Sequence, residues 1–137
     1  MAVVEELIRK ETDDTLSFGN FELATKSKLS DFEYEGDLYK IKTFGEITKL
    51  EKNGVFLYES VPGTTVTNMK NNAEGMNFKV EGKEDAQIIL GLEPEKEYKV
   101  TINGKDSGEM KTNLGGKLDI SVELNAGEAV EISVVSK

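Results

Sequence analysis

Bulky apolar side chains recur at or near every second position along most of this 137-residue chain. Successive side chains of a β-strand point to opposite faces, so the alternation predicts strands with one face in a core. The runs are Phe21–Leu23, Phe32–Tyr34, Leu38–Ile41, Val55–Tyr58, Met76–Val80, Ile88–Leu90, Tyr98–Ile102, Leu118–Leu124 and Val130–Val134. The 13 glycines lie mostly between these runs, where turns need positive φ. The pattern is typical of an all-β protein.

Two Asn-Gly pairs, Asn53-Gly54 and Asn103-Gly104, separate strand-like runs. Both central residues of a type I′ turn need positive φ, which Asn and Gly tolerate, so each pair predicts a tight hairpin. Two further hairpins are expected at Leu114–Lys117 and Asn125–Glu128. The turn signals therefore predict a four-stranded meander, with strands at 97–103, 106–113, 117–124 and 128–135.

The N-terminal segment Val3–Lys10 is the one helix candidate. Its apolar side chains form a helical stripe, but eight residues make a marginal helix, and a pairing strand at the surface is the alternative. The stripe is the one apolar cluster outside the alternating runs, so it is a candidate interface. Its residues are Val3, Val4, Leu7 and Ile8.

We therefore expect an antiparallel β-sandwich of about eleven or twelve strands. Residues 53–137 are expected to form the sandwich itself, and residues 1–52 an additional N-terminal β layer packed on it. The expected core is Phe56, Val66, Phe78, Val80, Ile88, Leu90, Leu92, Tyr98, Val100, Ile102, Leu118, Ile120, Val122, Val130, Ile132 and Val134.

Charge and composition exclude several function classes. The chain has 17 basic and 26 acidic side chains, and it has no Cys, His or Trp. Disulfides, zinc fingers and His-based triads are therefore excluded, and no cofactor is expected. A net charge of −9 with no evident basic cluster argues against nucleic acid and anionic membranes as partners.

The acidic stretch Asp31–Asp37 resembles the start of a calcium loop, with acidic residues at its first, third and fifth positions and Gly36 at its sixth. The twelfth position is Lys42, where a calcium loop needs a bidentate Glu. A strand with Phe32 and Tyr34 inward explains the same residues, so no metal site is expected. The chain contains no S-x-x-K or G-x-S-x-G motif, and no catalytic residues are assigned.

Carbohydrate-binding sites stack sugars on exposed aromatic rings. The aromatic residues expected nearest the surface are Tyr34, Tyr39 and Tyr58, which form the candidate sugar platform. The N-terminus has no signal-peptide pattern, and no apolar run has the length of a membrane span. The expected localisation is cytoplasmic, with non-classical export or a shortened chain as open alternatives.

The segment Gly91–Ile102 resembles the corner between strands E and F of fibronectin type III domains, with Leu92, Pro94 and Tyr98 at the matching spacing. The resemblance implies an immunoglobulin-like sandwich with a tyrosine corner, in which the ring is buried and its hydroxyl bonds to backbone upstream. The segment is equally similar to the C-terminal β-sandwich modules of secreted bacterial polysaccharide enzymes.

The whole chain resembles a family of short, uncharacterised all-β proteins of anaerobic Gram-positive bacteria, whose members sometimes carry the label endosialidase. The resemblance rests on Leu16–Asn20, Gly36–Lys40, Glu59–Gly63 and Met110–Asn113. The residues argue against the label, because sialidases hold the substrate carboxylate with three arginines and this chain has one, Arg9. Their Asp-box motif also needs Trp, and a six-bladed propeller needs far more than 137 residues.

These observations favour a non-catalytic structural or interaction protein. The expected partner is a second copy of the chain or another protein. A carbohydrate-binding accessory module is the alternative, with a glycan as partner, and a glycoside-active enzyme is the remote alternative.

Overall fold

The computed structural model describes residues 3–137, which form two antiparallel sheets packed face to face. The first seven strands are β1 (Ile8–Lys10), β2 (Leu16–Phe18), β3 (Ser27–Tyr34), β4 (Asp37–Phe44), β5 (Ile47–Lys52), β6 (Val55–Val61) and β7 (Thr65–Asn72). The next six are β8 (Gly75–Glu81), β9 (Ala86–Gly91), β10 (Glu97–Ile102), β11 (Lys105–Lys111), β12 (Lys117–Val122) and β13 (Val130–Ser136). Among residues 3–137 no helix has the length and apolar content that a membrane span requires.

The seven-stranded sheet has the order β1-β2-β7-β8-β13-β10-β11, and the six-stranded sheet has the order β12-β9-β6-β5-β4-β3. The inner faces of both sheets meet in one apolar core. Tyr58 of the six-stranded sheet packs edge-on against Phe18 and Phe78 of the other sheet, at 5.2 and 5.8 Å between ring centroids. The all-β, two-sheet sandwich predicted from the alternation is confirmed.

The additional N-terminal layer expected for residues 1–52 is wrong for the residues that the structure describes; residues 1 and 2 lie outside them. Strands β1 and β2 extend the seven-stranded sheet beside β7, and β3, β4 and β5 form half of the six-stranded sheet beside β6. In these positions β2 pairs with β7 and β5 pairs with β6, and all five strands bury apolar side chains in the common core. A separate layer would leave the adjoining edges of β6 and β7 unpaired.

The four C-terminal strands form, but the predicted meander is wrong. Strand β12 lies beside β9 in the six-stranded sheet, and β13 lies between β8 and β10. The turns after β11 and β12 therefore carry the chain between sheets instead of closing hairpins. Each crossing places the apolar side of a strand against the opposite sheet. The hairpins at Asn53-Gly54 and Asn103-Gly104 are confirmed, with φ of 51° and 78° in the first and 51° and 77° in the second.

The N-terminal segment forms a pairing strand, not a helix. Strand β1 pairs with β2, with Ile8 opposite Phe18. Upstream, the Val4 amide donates to the Gly19 carbonyl at 3.1 Å, and the Gly19 amide donates to the Leu7 carbonyl at 2.9 Å. The backbone of the segment thus hydrogen-bonds to β2 and to Gly19, which directly follows β2.

The predicted core is confirmed with three exceptions. Phe56, Leu92 and Ile102 are half-buried. Leu92 and Ile102 still pack against the core from its margin. Phe56 lies on the outer face of the six-stranded sheet, where the Lys117 Nζ sits 4.8 Å from its ring centroid.

Candidate interaction surface

The interface predicted at Val3, Val4, Leu7 and Ile8 is wrong for its central residues. Val4 and Ile8 are buried inside their own chain, and Val3 and Leu7 are half-buried. The pairing of β1 with β2 turns Ile8 toward the core, where it joins Leu16 and Phe18. The apolar cluster thus completes the sandwich and is not left for a partner.

The sugar platform predicted at Tyr34, Tyr39 and Tyr58 is also wrong, because all three side chains are buried. Tyr34 and Tyr39 pack edge-on with centroids 5.7 Å apart, and the Tyr34 hydroxyl donates to the Asp14 carbonyl. Burial raises the pKa of each of these two phenols to about 12. Strand pairing places Tyr39 on the same face as Ile41, which is the inner face.

The acidic stretch Asp31–Asp37 forms the end of β3, a turn and the start of β4. Asp31 has φ of 59° and lies where the pairing of β3 with β4 shifts by one residue. It is therefore the extra residue of a β-bulge. Residues 3–137 contain no group of three or more His, Cys, Asp or Glu side chains placed to hold a metal ion.

A cluster of hydroxyl groups is buried where β5, β6 and the start of β7 meet. Thr64 is its centre, and its Oγ1 lies 2.7 Å from both Tyr58 OH and Ser60 Oγ. The Thr48 hydroxyl donates to the Thr64 carbonyl at 2.8 Å and accepts from the Thr64 amide at 3.1 Å. All four residues of the cluster are 0% exposed: Tyr58, Ser60, Thr48 and Thr64. Their hydrogen bonds therefore stabilise the packing of the chain, and no substrate reaches them.

The outer face of the six-stranded sheet carries three lysines in one line across three neighbouring strands. Lys28 of β3 is directly opposite Lys42 of β4, and Lys42 is directly opposite Lys49 of β5. Directly opposite residues in an antiparallel pair have Cβ atoms about 4.5 to 5.5 Å apart. We call Lys28, Lys42 and Lys49 the lysine row.

The length of the turn between β4 and β5 determines the pairing of Lys42 with Lys49. The two-residue turn Gly45-Glu46 places Phe44 opposite Ile47. Lys42 precedes Phe44 by two residues and Lys49 follows Ile47 by two, so the hairpin must pair them. Because adjacent residues of a strand point to opposite faces, both lysines point outward when their neighbours Thr43 and Thr48 point into the core.

The bulge at Asp31 determines the second pairing of the row, that of Lys28 with Lys42. Tyr34 is opposite Asp37, and without the bulge the same register would place Lys28 opposite Thr43, whose side chain is buried. The extra residue moves Lys28 opposite Lys42, and a one-residue shift moves a side chain to the other face of a sheet. The bulge thus places Lys28 on the outer face.

An open cleft of about 160 Å³ lies along the lysine row, and its lining also includes Lys40 and Glu51. The Lys49 ammonium lies 3.7 Å from the Glu51 carboxylate. Within residues 3–137, Lys28, Lys40 and Lys42 have no carboxylate within ion-pair distance. The cleft therefore carries excess positive charge in a chain whose net charge is −9.

The lysines of the seven-stranded sheet have different cross-strand neighbours. Three of its outward lysines lie directly opposite glutamates, in the pairs Lys79 and Glu131, Lys99 and Glu109, and Lys111 and Glu97. In the six-stranded sheet Lys40 is likewise opposite Glu51, and Lys49 is opposite Glu59. Opposite charges at such positions are stabilising and like charges are destabilising. Lys28 and Lys42, which are paired with other lysines only, thus depart locally from this charge pairing.

The lysine row is not visible in the sequence as a cluster, because its members lie far apart in the chain. The outward phase of Lys40 and Lys42 is visible in the sequence, since they alternate with Tyr39 and Ile41. The position of Lys28 depends on the bulge, which no single residue signals. Comparison of the chain with protein-family models, with curated proteins and with solved structures found no match.

Proposed function

We propose that the protein is a non-catalytic interaction protein that binds an acidic surface through the lysine row. The observation that carries the proposal is the direct cross-strand alignment of Lys28, Lys42 and Lys49. Their mutual repulsion opposes folding, and within residues 3–137 no acidic side chain is paired opposite Lys28 or Lys42. A carboxylate-bearing partner placed over the row supplies the missing counter-charge.

The charge distribution also favours a defined orientation of binding. A chain of net charge −9 repels most acidic molecules at a distance, so attraction is confined to the positive face. Complementary patches of this kind mainly select the partner and its docking register. The lysine row extends across three hydrogen-bonded strands, whose pairing fixes the spacing of the three lysine backbones.

A binding role fits the cleft better than a catalytic one. Among the described residues Glu51 is the single carboxylate in its lining, whereas glycoside hydrolysis uses two carboxyl groups about 5 to 10 Å apart. Nucleophilic catalysis needs a hydroxyl that a substrate can reach, with a base beside it. The clustered hydroxyls around Thr64 are buried and bonded to one another.

The experiment measures binding of fluorescent poly-L-glutamate by anisotropy at low salt. The variant Lys28→Gln/Lys42→Gln/Lys49→Gln is expected to bind about tenfold more weakly, at about 0.5 kcal/mol per exposed ion pair. Gln keeps the side chain long and removes only the charge. Binding that is unchanged in this variant would contradict the proposal.

The matched control is the variant Lys70→Gln/Lys79→Gln/Lys99→Gln. These lysines are exposed on the seven-stranded sheet and none lies directly opposite another lysine. The two triple variants have equal net charge, so any difference between them reports on the lysine row. Equal loss of binding in both would show attraction to the chain as a whole and would also contradict the proposal.

A further inference from the structure

The line of residues that begins with the lysine row continues across the whole six-stranded sheet. Lys49 is opposite Glu59, Glu59 is opposite Ile89, and Ile89 is opposite Asp119. Their chain neighbours Ser60, Ile88 and Ile120 are buried, so these side chains point outward. The line is therefore positive over β3, β4 and β5 and carries Glu59 and Asp119 over β6 and β12.

We infer that the partner is a second copy of this chain, packed face to face through the six-stranded sheets. The two-fold axis runs parallel to the strands and passes between β5 and β6. Strand β3 of one copy then faces β12 of the other, β4 faces β9, and β5 faces β6. This inference rests on the proposed function, because it assigns an occupant to the same lysine row.

The arrangement pairs opposite charges along the line. Lys28 faces Asp119 of the second copy, Lys49 faces Glu59, and the stem of Lys42 covers Ile89. A two-fold axis repeats every contact, so each of these pairs forms twice. A two-fold axis in the sheet plane but perpendicular to the strands would place the lysine row on itself, which like-charge repulsion disfavours.

Apolar contact accompanies the charged line. Ile47 and Val61 adjoin the buried pair Thr48 and Ser60, so both point outward from the middle of the sheet. Val61 is 52% exposed and Ile47 is half-buried. Because β5 faces β6 in the dimer, Ile47 of each copy covers Val61 of the other.

The face is large enough for a specific dimer. Six strands about 4.8 Å apart span about 29 Å, and six residues along a strand span about 20 Å. Covering this face buries roughly 600 Å² per copy and roughly 1,200 Å² in total, where a specific interface needs about 1,000 Å². The net negative charge of each copy is screened beyond about 10 Å at 0.1 M salt, while the pairs at contact are not.

The experiment measures molar mass by light scattering and sedimentation at 0.1 M salt, with the chain at up to about 1 mM. The wild-type chain is expected to approach twice its monomer mass as concentration rises. Two charge-reversed variants, Lys28→Glu/Lys42→Glu/Lys49→Glu and Glu59→Lys/Asp119→Lys, are each expected to remain monomeric. Their equimolar mixture is expected to restore the dimer, because each then presents charges opposite to the other.

Two controls separate the interface from folding. The variant Lys70→Glu/Lys79→Glu/Lys99→Glu changes the opposite sheet and is expected to keep the wild-type mass. The variant Val61→Glu removes the central apolar contact without touching the charged line and is expected to be monomeric. Circular dichroism of each variant verifies the fold, and a folded Val61→Glu chain that still dimerises would overturn the inference.

The remaining outcomes distinguish this inference from the proposed function. A wild-type chain that stays monomeric at about 1 mM, or a mixture that does not restore the dimer, overturns the inference. If that monomeric chain still binds poly-L-glutamate through the lysine row, the proposed function stands with another acidic partner. If it does neither, both are wrong.

Discussion

The Glu93 amide donates a hydrogen bond of 3.2 Å to the hydroxyl oxygen of Tyr98, five residues further along the chain. The phenol ring is 2% exposed and belongs to the core. The tyrosine corner expected from Leu92, Pro94 and Tyr98 is therefore formed, and it fixes the turn that leads into β10. The wider likeness to fibronectin type III domains stays a prediction.

Substitution of Tyr98 separates the hydrogen bond from the packing of the ring. Tyr98→Phe is expected to lower the free energy of unfolding by about 1 kcal/mol, because only the hydrogen bond is lost. Tyr98→Ala is expected to lower it by about 3 kcal/mol or more, because it also leaves a cavity. Urea denaturation measures both, and an unchanged midpoint for Tyr98→Ala would contradict an anchoring role for this residue.

Removing charge from the lysine row is expected to stabilise the fold. Lys42 lies between two other lysines, so Lys42→Gln should raise the free energy of unfolding by about 0.3 kcal/mol. Lys79 is opposite Glu131, so Lys79→Gln should lower it by about the same amount. Urea midpoints at low and high salt test the opposite signs, and salt should reduce the difference. The concentration must be low enough to keep the chain monomeric.

Strand β1 is expected to contribute to stability in spite of its three residues. Ile8→Ala removes a buried side chain and should lower the free energy of unfolding by about 2 to 4 kcal/mol. The matched control is Val55→Ala, because Val55 is 67% exposed and its truncation leaves no cavity. Equal, small effects of both substitutions on the urea midpoint would show that β1 does not pack in solution as it does in the structure.

High pH is expected to unfold the chain through its buried tyrosines. Burial raises the pKa of Tyr34 and Tyr39 from 10.0 to about 12, so both phenols are favoured in their neutral form by folding. The stability they provide is complete below pH 10 and is lost as the pH rises through about 12. Tyr39→Phe should make the urea midpoint fall less steeply over this range. Parallel slopes for Tyr39→Phe and the wild type would contradict this assignment.

Most of the strands and two of the hairpins could be predicted because their signals are local. The run Phe21–Leu23 is wrong, because it forms a turn, and β2 and β7 lie outside the predicted runs. Alternation shows which side chains share a face, and Asn-Gly supplies the positive φ of a tight turn. Neither signal says which sheet a strand joins, since β12 would alternate in the same way beside β9 or beside β11. The crossings after β11 and β12 are set by burial of whole sheet faces, which short windows do not contain.

The predictions of the candidate sites were wrong for a related reason. The alternation already places Tyr39 in phase with Ile41 and so toward the core, whereas the sugar-platform hypothesis needed the same ring at the surface. The lysine row has no counterpart in the linear sequence, because the bulge at Asp31 decides on which face Lys28 lies. A register shift of one residue thus separates a buried position from a binding surface.

The position of β13 constrains how the protein can be made. Residues 130–136 lie between β8 and β10, so they join two hairpins of the seven-stranded sheet that otherwise share no backbone hydrogen bonds with each other. On the ribosome these residues emerge after the twelve strands that precede them. Without these residues the facing edges of β8 and β10 have no partner strand, so the two parts of the sheet are not joined by hydrogen bonds. The seven-stranded sheet can therefore become continuous only after residues 130–136 have been made.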